Sequence, residues 1–518
     1  MQEQIEGFLQ PGRNCWRIDP ANRFTFIHDA ADYFQALRRA MLKARHSILM
    51  IGWDFDARIA LGEAEDGGPK ALGDFVLWLA GRTPDLHIRL LRWDTGALAS
   101  LFRGTTLWTI LRWKAHPRIT LRLDAAHPLA SSHHQKIVVI DESIAFCGGI
   151  DMTIQRWDTR EHLDDDPRRT GPGRRPHPPW HDAASAFDGE AAAAMGALAR
   201  ARWQAATREV LPEVQPRHDC WPDGLAPTFT DMHLGIARSL PKMPDVEPVH
   251  EIERAWIDMI LGAQKMIYAE NQYFASRRIA LALAERLSGE DPPEFVLVTP
   301  HGATGWLEPL AMDSARARLV EALTKLDRLG RFRIYHPQTA GGKPIYVHAK
   351  VMIVDDHILR VGSSNFNNRS MRLDSECDVI LSAYQLGNAH LTDEIAGLRN
   401  DLLAEHLACS AQDVASQTRV SGSLIAAIEA LRGPGRSLVP FSPPELSSLA
   451  EWLADNEILD PNGPDDIFES TAKRGLFKGW DRLRRRLRRG LSRRAERKAQ
   501  RKAAKAAARL SMRERGKG

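Results

Sequence analysis

The pattern His-x-Lys-x-x-x-x-Asp occurs twice, as His134, Lys136 and Asp141 and again as His348, Lys350 and Asp355. One match in a chain of this composition is expected by chance on the order of 0.04 times, and two about a thousandth. Each copy is followed by a small-residue pair, Gly148-Gly149 and Gly362-Ser363. Two imidazoles and two ammonium groups are what cleavage of a phosphodiester requires. The ester oxygens are negative and the leaving alkoxide is poor, so charge neutralisation, a nucleophile and an acid are all needed. The lysines supply the positive charge, and no metal or other cofactor is expected.

Two residues apart on a strand, His and Lys project from one face. Ile137-Val138-Val139-Ile140 and Val351-Met352-Ile353-Val354 read as strands buried on both faces. Upstream of each copy lies a helix followed by a buried strand: DAADYFQALRRAMLKARHSILMIGWDFD before the first, HEIERAWIDMILGAQKMIYAENQYF before the second. The offset between these segments, about 218 residues, is close to the separation of His134 and His348, which indicates duplicated domains rather than a duplicated short motif. Alternating helices and strands indicate an α/β fold with mixed sheets.

The 518 residues suffice for two to four domains. With 43% hydrophobic and 26% charged residues the composition is that of a soluble globular protein. No apolar run approaches the ~20 residues of a membrane span, and the N-terminus shows no secretory signal. The five scattered cysteines form no metal-binding spacing and read as reduced thiols of a cytosolic protein. Charge is unevenly distributed. Residues 473–518 hold 20 Lys and Arg against 3 Asp and Glu, a net +17, so the remainder carries −13 of the +4 total. Within that tail Leu476, Trp480, Leu483, Leu487 and Leu491 form an apolar stripe opposed by arginines, the pattern of a helix lying in an anionic bilayer interface. A solvated disordered tail and a nucleic-acid-binding tail are the competing readings.

Beyond the two motifs, GGIDMTIQRWDT (148–159), PWHD (179–182), IYAENQYF (267–274) and GSSNFNNRSMRLDSE (362–376) resemble segments of the phospholipase D superfamily, in its phosphatidylcholine-type branch. The resemblance runs from about residue 26 to about residue 382. Where the family usually has Gly-Pro-Ala after PWHD, this chain has Asp188-Gly189-Glu190, and no segment resembles the calcium- or lipid-binding modules of many members. The resemblance implies two tandem phospholipase D-type α-β-α repeats with mixed sheets around one shared active site, plus a helical basic tail. The expected boundaries are 1–225 for the first repeat, 226–248 for a linker, 249–410 for the second repeat, 411–470 for a helical extension and 471–518 for the tail.

The resemblance also implies that His134 attacks phosphorus to give a phosphohistidine and that His348 protonates the leaving alcohol. A carboxylate is expected to orient each ring. Glu376 is the candidate for the His348 half and Asp182 for the His134 half, with Asp164, Asp165 and Asp166 as rivals. Asp141 and Asp355 belong to the catalytic motif, yet their place past the strand fits a turn residue better. Gly149, Asp151, Asn271, Ser363, Ser364 and Asn365 are the candidates for contact with phosphate or substrate. The expected activity is hydrolysis or transphosphatidylation of glycerophospholipids by a cytoplasmic monomer at the inner membrane face. Export without a recognisable signal is the alternative location. A cardiolipin-synthase-like phosphatidyltransferase and a superfamily nuclease are the alternative activities.

Overall fold

The computed structural model describes residues 7–94, 106–128, 131–215, 217–243, 246–302 and 308–442. The chain divides into two units, residues 1–464 and 465–518, and all the described residues belong to the first.

Its first half runs β1 (Arg17–His28), α1 (Asp29–Leu42), β2 (Ser47–Gly52), α2 (Leu72–Arg82), β3 (His87–Trp93), α3 (Thr106–Ala115), β4 (Ile119–Asp124), β5 (Ile137–Ile140), β6 (Ile144–Gly148), the ribbon β7 (Thr170–Gly171) and β8 (Arg175–Pro176), β9 (Trp180–His181), β10 (Ala183–Asp188) and α4 (Gly189–Thr207). The second half runs β11 (Phe229–Leu240), β12 (Val249–His250), α5 (Glu251–Gly262), β13 (Met266–Asn271), α6 (Arg277–Leu287), β14 (Glu294–Val298), α7 (Glu308–Leu326), β15 (Phe332–Gln338), β16 (Tyr346–Val347), β17 (Lys350–Val354), β18 (Ile358–Gly362), β19 (Glu376–Ser382) and α8 (Thr392–Leu407). Helices α9 (Ala411–Ser421) and α10 (Leu424–Leu431) and strand β20 (Ser437–Pro440) follow.

One sheet of 16 strands contains both halves, in the order β20-β15-β14-β13-β17-β18-β19-β11-β1-β10-β6-β5-β2-β3-β4, with β12 beside β11. The order is the same read outward in either direction from β1 and β11, which pair antiparallel from Arg17 opposite Ile236 to Phe24 opposite Phe229. In each half a three-strand parallel set connected by helices, β2-β3-β4 or β13-β14-β15, lies outside an antiparallel hairpin. The mixed α/β sheet expected from the alternating pattern is therefore present.

Local sequence explains the units. Helix α1 buries Ala30, Tyr33, Phe34, Leu37, Ala40 and Met41 on one face and places Asp29 and Asp32 at its positive N-terminal end. The hairpin strands β5 and β17 are buried at every residue, so both faces are apolar. Their turns, Asp141-Glu142 and Asp355-Asp356, adopt positive φ of 50–58°, as a tight hairpin demands. One apolar core spans both halves, joining Leu49, Val139 and Trp203 to Tyr268, Val351 and Leu403. On the other face each half has its own core, centred on Phe75 and Phe146 or on Trp256 and Phe295.

Two boundaries differ from expectation. The stretch 226–248 is not a linker, because β11 occupies most of it and forms the seam of the sheet. Prolines at its two ends conceal a strand whose buried residues include Met232, Leu234, Ile236 and Ala237. The segment after 410, read from sequence as a helical extension over 411–470, holds α9 and α10, after which β20 pairs with β15 and extends the sheet. The basic tail lies outside the described residues.

Candidate active site

Each motif histidine sits on an extended segment just ahead of its buried strand, rather than within it. Each segment is paired to a segment of the opposite half. His133 bridges Ser375, and His134 N–H donates to Ser375 O at 3.0 Å. Likewise β16 pairs parallel with β9, and His348 N–H donates to His181 O at 2.7 Å. Residue 182 follows β9 and residue 376 begins β19, so each crossed pairing puts a carboxylate from one half under an imidazole of the other. Glu376 Oε1 and Oε2 both lie 3.0 Å from His134 Nδ1. Asp182 Oδ2 lies 2.7 Å from His348 Nδ1. An Nδ1–H donated to the carboxylate leaves the Nε2 lone pair for chemistry.

The lysines lie beside their own histidines. Lys136 Nζ donates to His134 O at 3.2 Å and is 3.1 Å from Asp151 Oδ2. Lys350 Nζ donates to His348 O and, at 3.2 Å, to Gln272 Oε1. Burial dominates the protonation of both histidines, of Glu376 and Asp182, and of Lys350. It lowers His134 to about 3, with Lys136 contributing, and holds His348 well below its ordinary range, with Lys350 contributing. Burial raises Glu376 to about 8 against the hydroxyl donors of Ser363 and Ser370, and raises Asp182 against the charge of Lys350. Lys350 is lowered to about 7 by burial, opposed by Asp182.

Both imidazoles open into one cavity of about 640 Å³. Tryptophans form part of its wall. Trp53 and Trp93 stack at 5.7 Å between ring centroids, and the Arg156 guanidinium lies 4.2 Å from the ring centroid of Trp180. Polar side chains, among them Asp151, Arg156, Gln272, Asn365 and Asp374, make up most of the remaining lining.

A family model described as phospholipase D matches residues 40–220 and 330–423, which hold both His-Lys pairs and both orienting carboxylates. The chain belongs to the phospholipase D family. Phospholipase D alpha 1 of Arabidopsis thaliana is 26% identical over 516 residues, covering 71% of this chain and 63% of the relative. Phospholipase D1 of Saccharomyces cerevisiae is 24% identical over 495 residues, covering 74% of this chain and 29% of the relative. The chain thus spans less than two thirds of the length of these curated relatives. Among solved structures, phosphatidylserine synthase of Haemophilus influenzae Rd KW20 superposes with a TM-score of 0.49 at 13% identity, covering 73% of this chain and 88% of that one.

Within this family site the residues singled out from sequence take different places. Glu376 and Asp182 are both at the imidazoles, but in exchanged pairings: Glu376 serves His134, and Asp182 serves His348. Spacing along the chain suggested partners within one half, whereas the strand crossing supplies them from the other. The rivals are elsewhere. Asp164 holds Thr339 and Gly341, Asp165 holds Lys343, and Asp166 holds Arg168. Asp141 accepts the backbone N–H groups of Arg45, His46 and Ser47. Asp355 accepts those of Gln264, Lys265 and Met266. Both are anchors for the start of the neighbouring strand and not acids of the site.

Ser363 and Ser364 face inward instead of toward substrate. Ser363 Oγ donates to Glu376 Oε2 at 2.5 Å, and Ser364 Oγ donates to Asp378 Oδ2 at 2.5 Å. Gly149 occupies the place of Ser363 in the first half, where a Cβ would lie 2.2 Å from Asp182 Oδ1. Its role is to leave room for that carboxylate. Asp151 and Asn365 line the cavity, and Asn365 Oδ1 is buried with no hydrogen-bond partner among the described residues. Asn271 Oδ1 accepts the N–H groups of Tyr273 and Phe366, tying two site loops together. Residues not anticipated include Ser370, which donates to Glu376 Oε1 at 2.7 Å, and Arg156. Both stand in segments that resemble the family, 148–159 and 362–376, but nothing in their spacing marks them as site residues.

Proposed function

We propose that this chain is a phospholipase D-type phosphodiesterase. It cleaves glycerophospholipids to phosphatidic acid and a headgroup alcohol, or passes the phosphatidyl group to an alcohol. The observation that carries the reading is the pair of crossed histidine–carboxylate contacts opening, with both lysines alongside, into one cavity walled in part by tryptophans.

In this reading Lys136 and Lys350 hold the non-bridging oxygens. His134 Nε2 attacks phosphorus, forming a P–N bond as the P–O bond to the headgroup breaks. Neutral imidazole is the reactive form, and burial keeps His134 in it. His348 gives its proton to the departing oxygen. It must hold that proton despite burial and the charge of Lys350, and the bound phosphate anion supplies the compensating negative charge. His348 then takes a proton from water or an alcohol, whose oxygen attacks phosphorus and releases His134. Glu376 and Asp182 orient the rings and stabilise their cationic forms.

The test is turnover of phosphatidylcholine and phosphatidylethanolamine vesicles in EDTA with added ethanol, comparing the parent protein with His134→Ala and His348→Ala. Phosphatidic acid or phosphatidylethanol from the parent alone supports the reading, and their ratio reports the preferred acceptor. No product from either lipid would move the substrate to another phospholipid or to nucleic acid.

A further inference from the structure

We propose that Asp29, His162, His181 and Glu405 form a closed structural site for a divalent transition metal, Zn²⁺ by its ligand chemistry. The site is separate from the reaction cavity and joins the two halves of the fold. The four side chains come from the start of α1, the loop before β7, β9 and α8. All are buried, and one atom from each lies within 4.8 Å of the others.

The distances have the size of a coordination shell. His162 Nε2 is 3.2 Å from Glu405 Oε1 and 3.6 Å from Asp29 Oδ2. His181 Nδ1 is 2.8 Å from Glu405 Oε1 and 3.3 Å from Asp29 Oδ1. Ligands about 2.0–2.1 Å from a tetrahedral zinc stand roughly 3.3 Å apart. Direct hydrogen bonding satisfies only part of the group. His162 Nε2 and Glu405 Oε1 are hydrogen-bonded, but among the described residues His181 Nδ1 makes no well-directed hydrogen bond despite its two close oxygens, and Asp29 Oδ2 makes none. Buried polar atoms in that state need another partner.

The surroundings match the support that metal-bound imidazoles require. The other ring nitrogen of each histidine meets a carboxylate: His162 Nδ1 lies 3.0 Å from Asp158 Oδ2, and His181 Nε2 lies 2.8 Å from Glu270 Oε2. Arg160 Nε donates to the second oxygen of Glu405 at 2.7 Å, leaving Oε1 directed at the histidines. Two carboxylates and two neutral imidazoles balance one divalent ion. Four protein ligands with no open position make such a site structural rather than catalytic.

Its place links it to the reaction. His181 precedes Asp182, and Asp29 Oδ1 accepts the Asp182 N–H at 2.9 Å. An ion there fixes the carboxylate that orients His348. The competing state fills the same cluster with protons, both histidines being imidazolium.

The experiment is elemental analysis of the full-length protein, expressed in zinc-supplemented medium and gel-filtered without chelator, together with visible spectroscopy of protein grown in cobalt. One zinc per chain and the strong d–d absorption of four-coordinate Co²⁺ are expected, and folded His162→Ala protein loses both. Folded parent protein without metal, cobalt-grown protein without that absorption, or folded His162→Ala protein retaining its ion overturns the proposal. If His162→Ala does not fold, the two measurements on the parent decide. None of these readouts uses turnover, so their failure is distinct from failure of the phosphodiesterase reading.

Discussion

His134 and Glu376 are 242 residues apart in the chain and in direct contact, with both carboxylate oxygens 3.0 Å from Nδ1. The reciprocal contact joins His348 to Asp182. Neither half holds both a motif histidine and the carboxylate that contacts it, so the two halves must fold against each other before either ring is oriented.

The crossing makes the two carboxylates separable. Glu376→Gln removes support from the proposed nucleophile and is expected to slow the first chemical step by about 10²–10⁴ whatever the leaving group. Asp182→Asn weakens the proposed acid. Its defect should shrink to about tenfold or less on a p-nitrophenyl phosphodiester, whose leaving group needs no proton. Pre-steady-state burst rates on both substrates check this. Equal defects for both variants on the activated ester would show that the assignment of nucleophile and acid is wrong.

The pH profile should reflect Lys350. Its protonated form carries the charge that holds phosphate, and burial lowers it to about 7 in the free protein. kcat/KM is therefore expected to fall as pH rises through about 7, and loss of the His348 proton, which burial favours in the free protein, adds to the fall from lower pH. The bound anion favours the protonated lysine, so the corresponding limb of kcat lies at higher pH. His134, lowered to about 3, is neutral over the whole working range and adds no acid limb to kcat/KM above about pH 4. Profiles from pH 4 to 9 on a soluble diester test both statements.

The motif aspartates should behave as stabilising residues. Each accepts three backbone N–H groups at the start of a neighbouring strand. Asp141→Asn and Asp355→Asn each replace one acceptor oxygen with a donor, at an expected cost of about 1–3 kcal/mol in folding stability. Below the melting transition kcat should stay within about threefold of the parent. Denaturant melts and steady-state kinetics on the same preparations check this. A large loss of kcat at unchanged stability would return both residues to the chemistry.

The basic C-terminal segment is expected to bind lipid surfaces. Deleting residues 473–518 removes a net charge of +17 and the Leu-Trp stripe. Each Lys or Arg near an anionic surface contributes about 1 kcal/mol. Vesicle sedimentation should show weaker binding to anionic liposomes, with turnover of a soluble diester unchanged. Unchanged liposome binding would remove the tail from the membrane contact.

Much of this protein is legible in its residue order. The two His-Lys pairs, the duplicated helix-then-strand pattern and the buried strands Ile137–Ile140 and Lys350–Val354 depend on local spacing and periodicity, which a linear chain displays directly. Both orienting carboxylates were also visible as residue types. Their partners were not, because spacing relates residues within a half, while the crossed pairing of Val347 with His181 and of His133 with Ser375 forms between halves. The seam strand Phe229–Leu240 was hidden for a related reason. Its flanking prolines resemble a linker, and its strand character is expressed through the neighbours β1 and β19. The inward hydroxyls of Ser363 and Ser364, the space kept by Gly149 and the cluster around His181 depend on distances between segments remote in sequence. Residue order determined which groups this protein has for the proposed phosphoryl chemistry; the tertiary structure alone decided which of them meet, because those contacts form only when strands from both halves share one sheet.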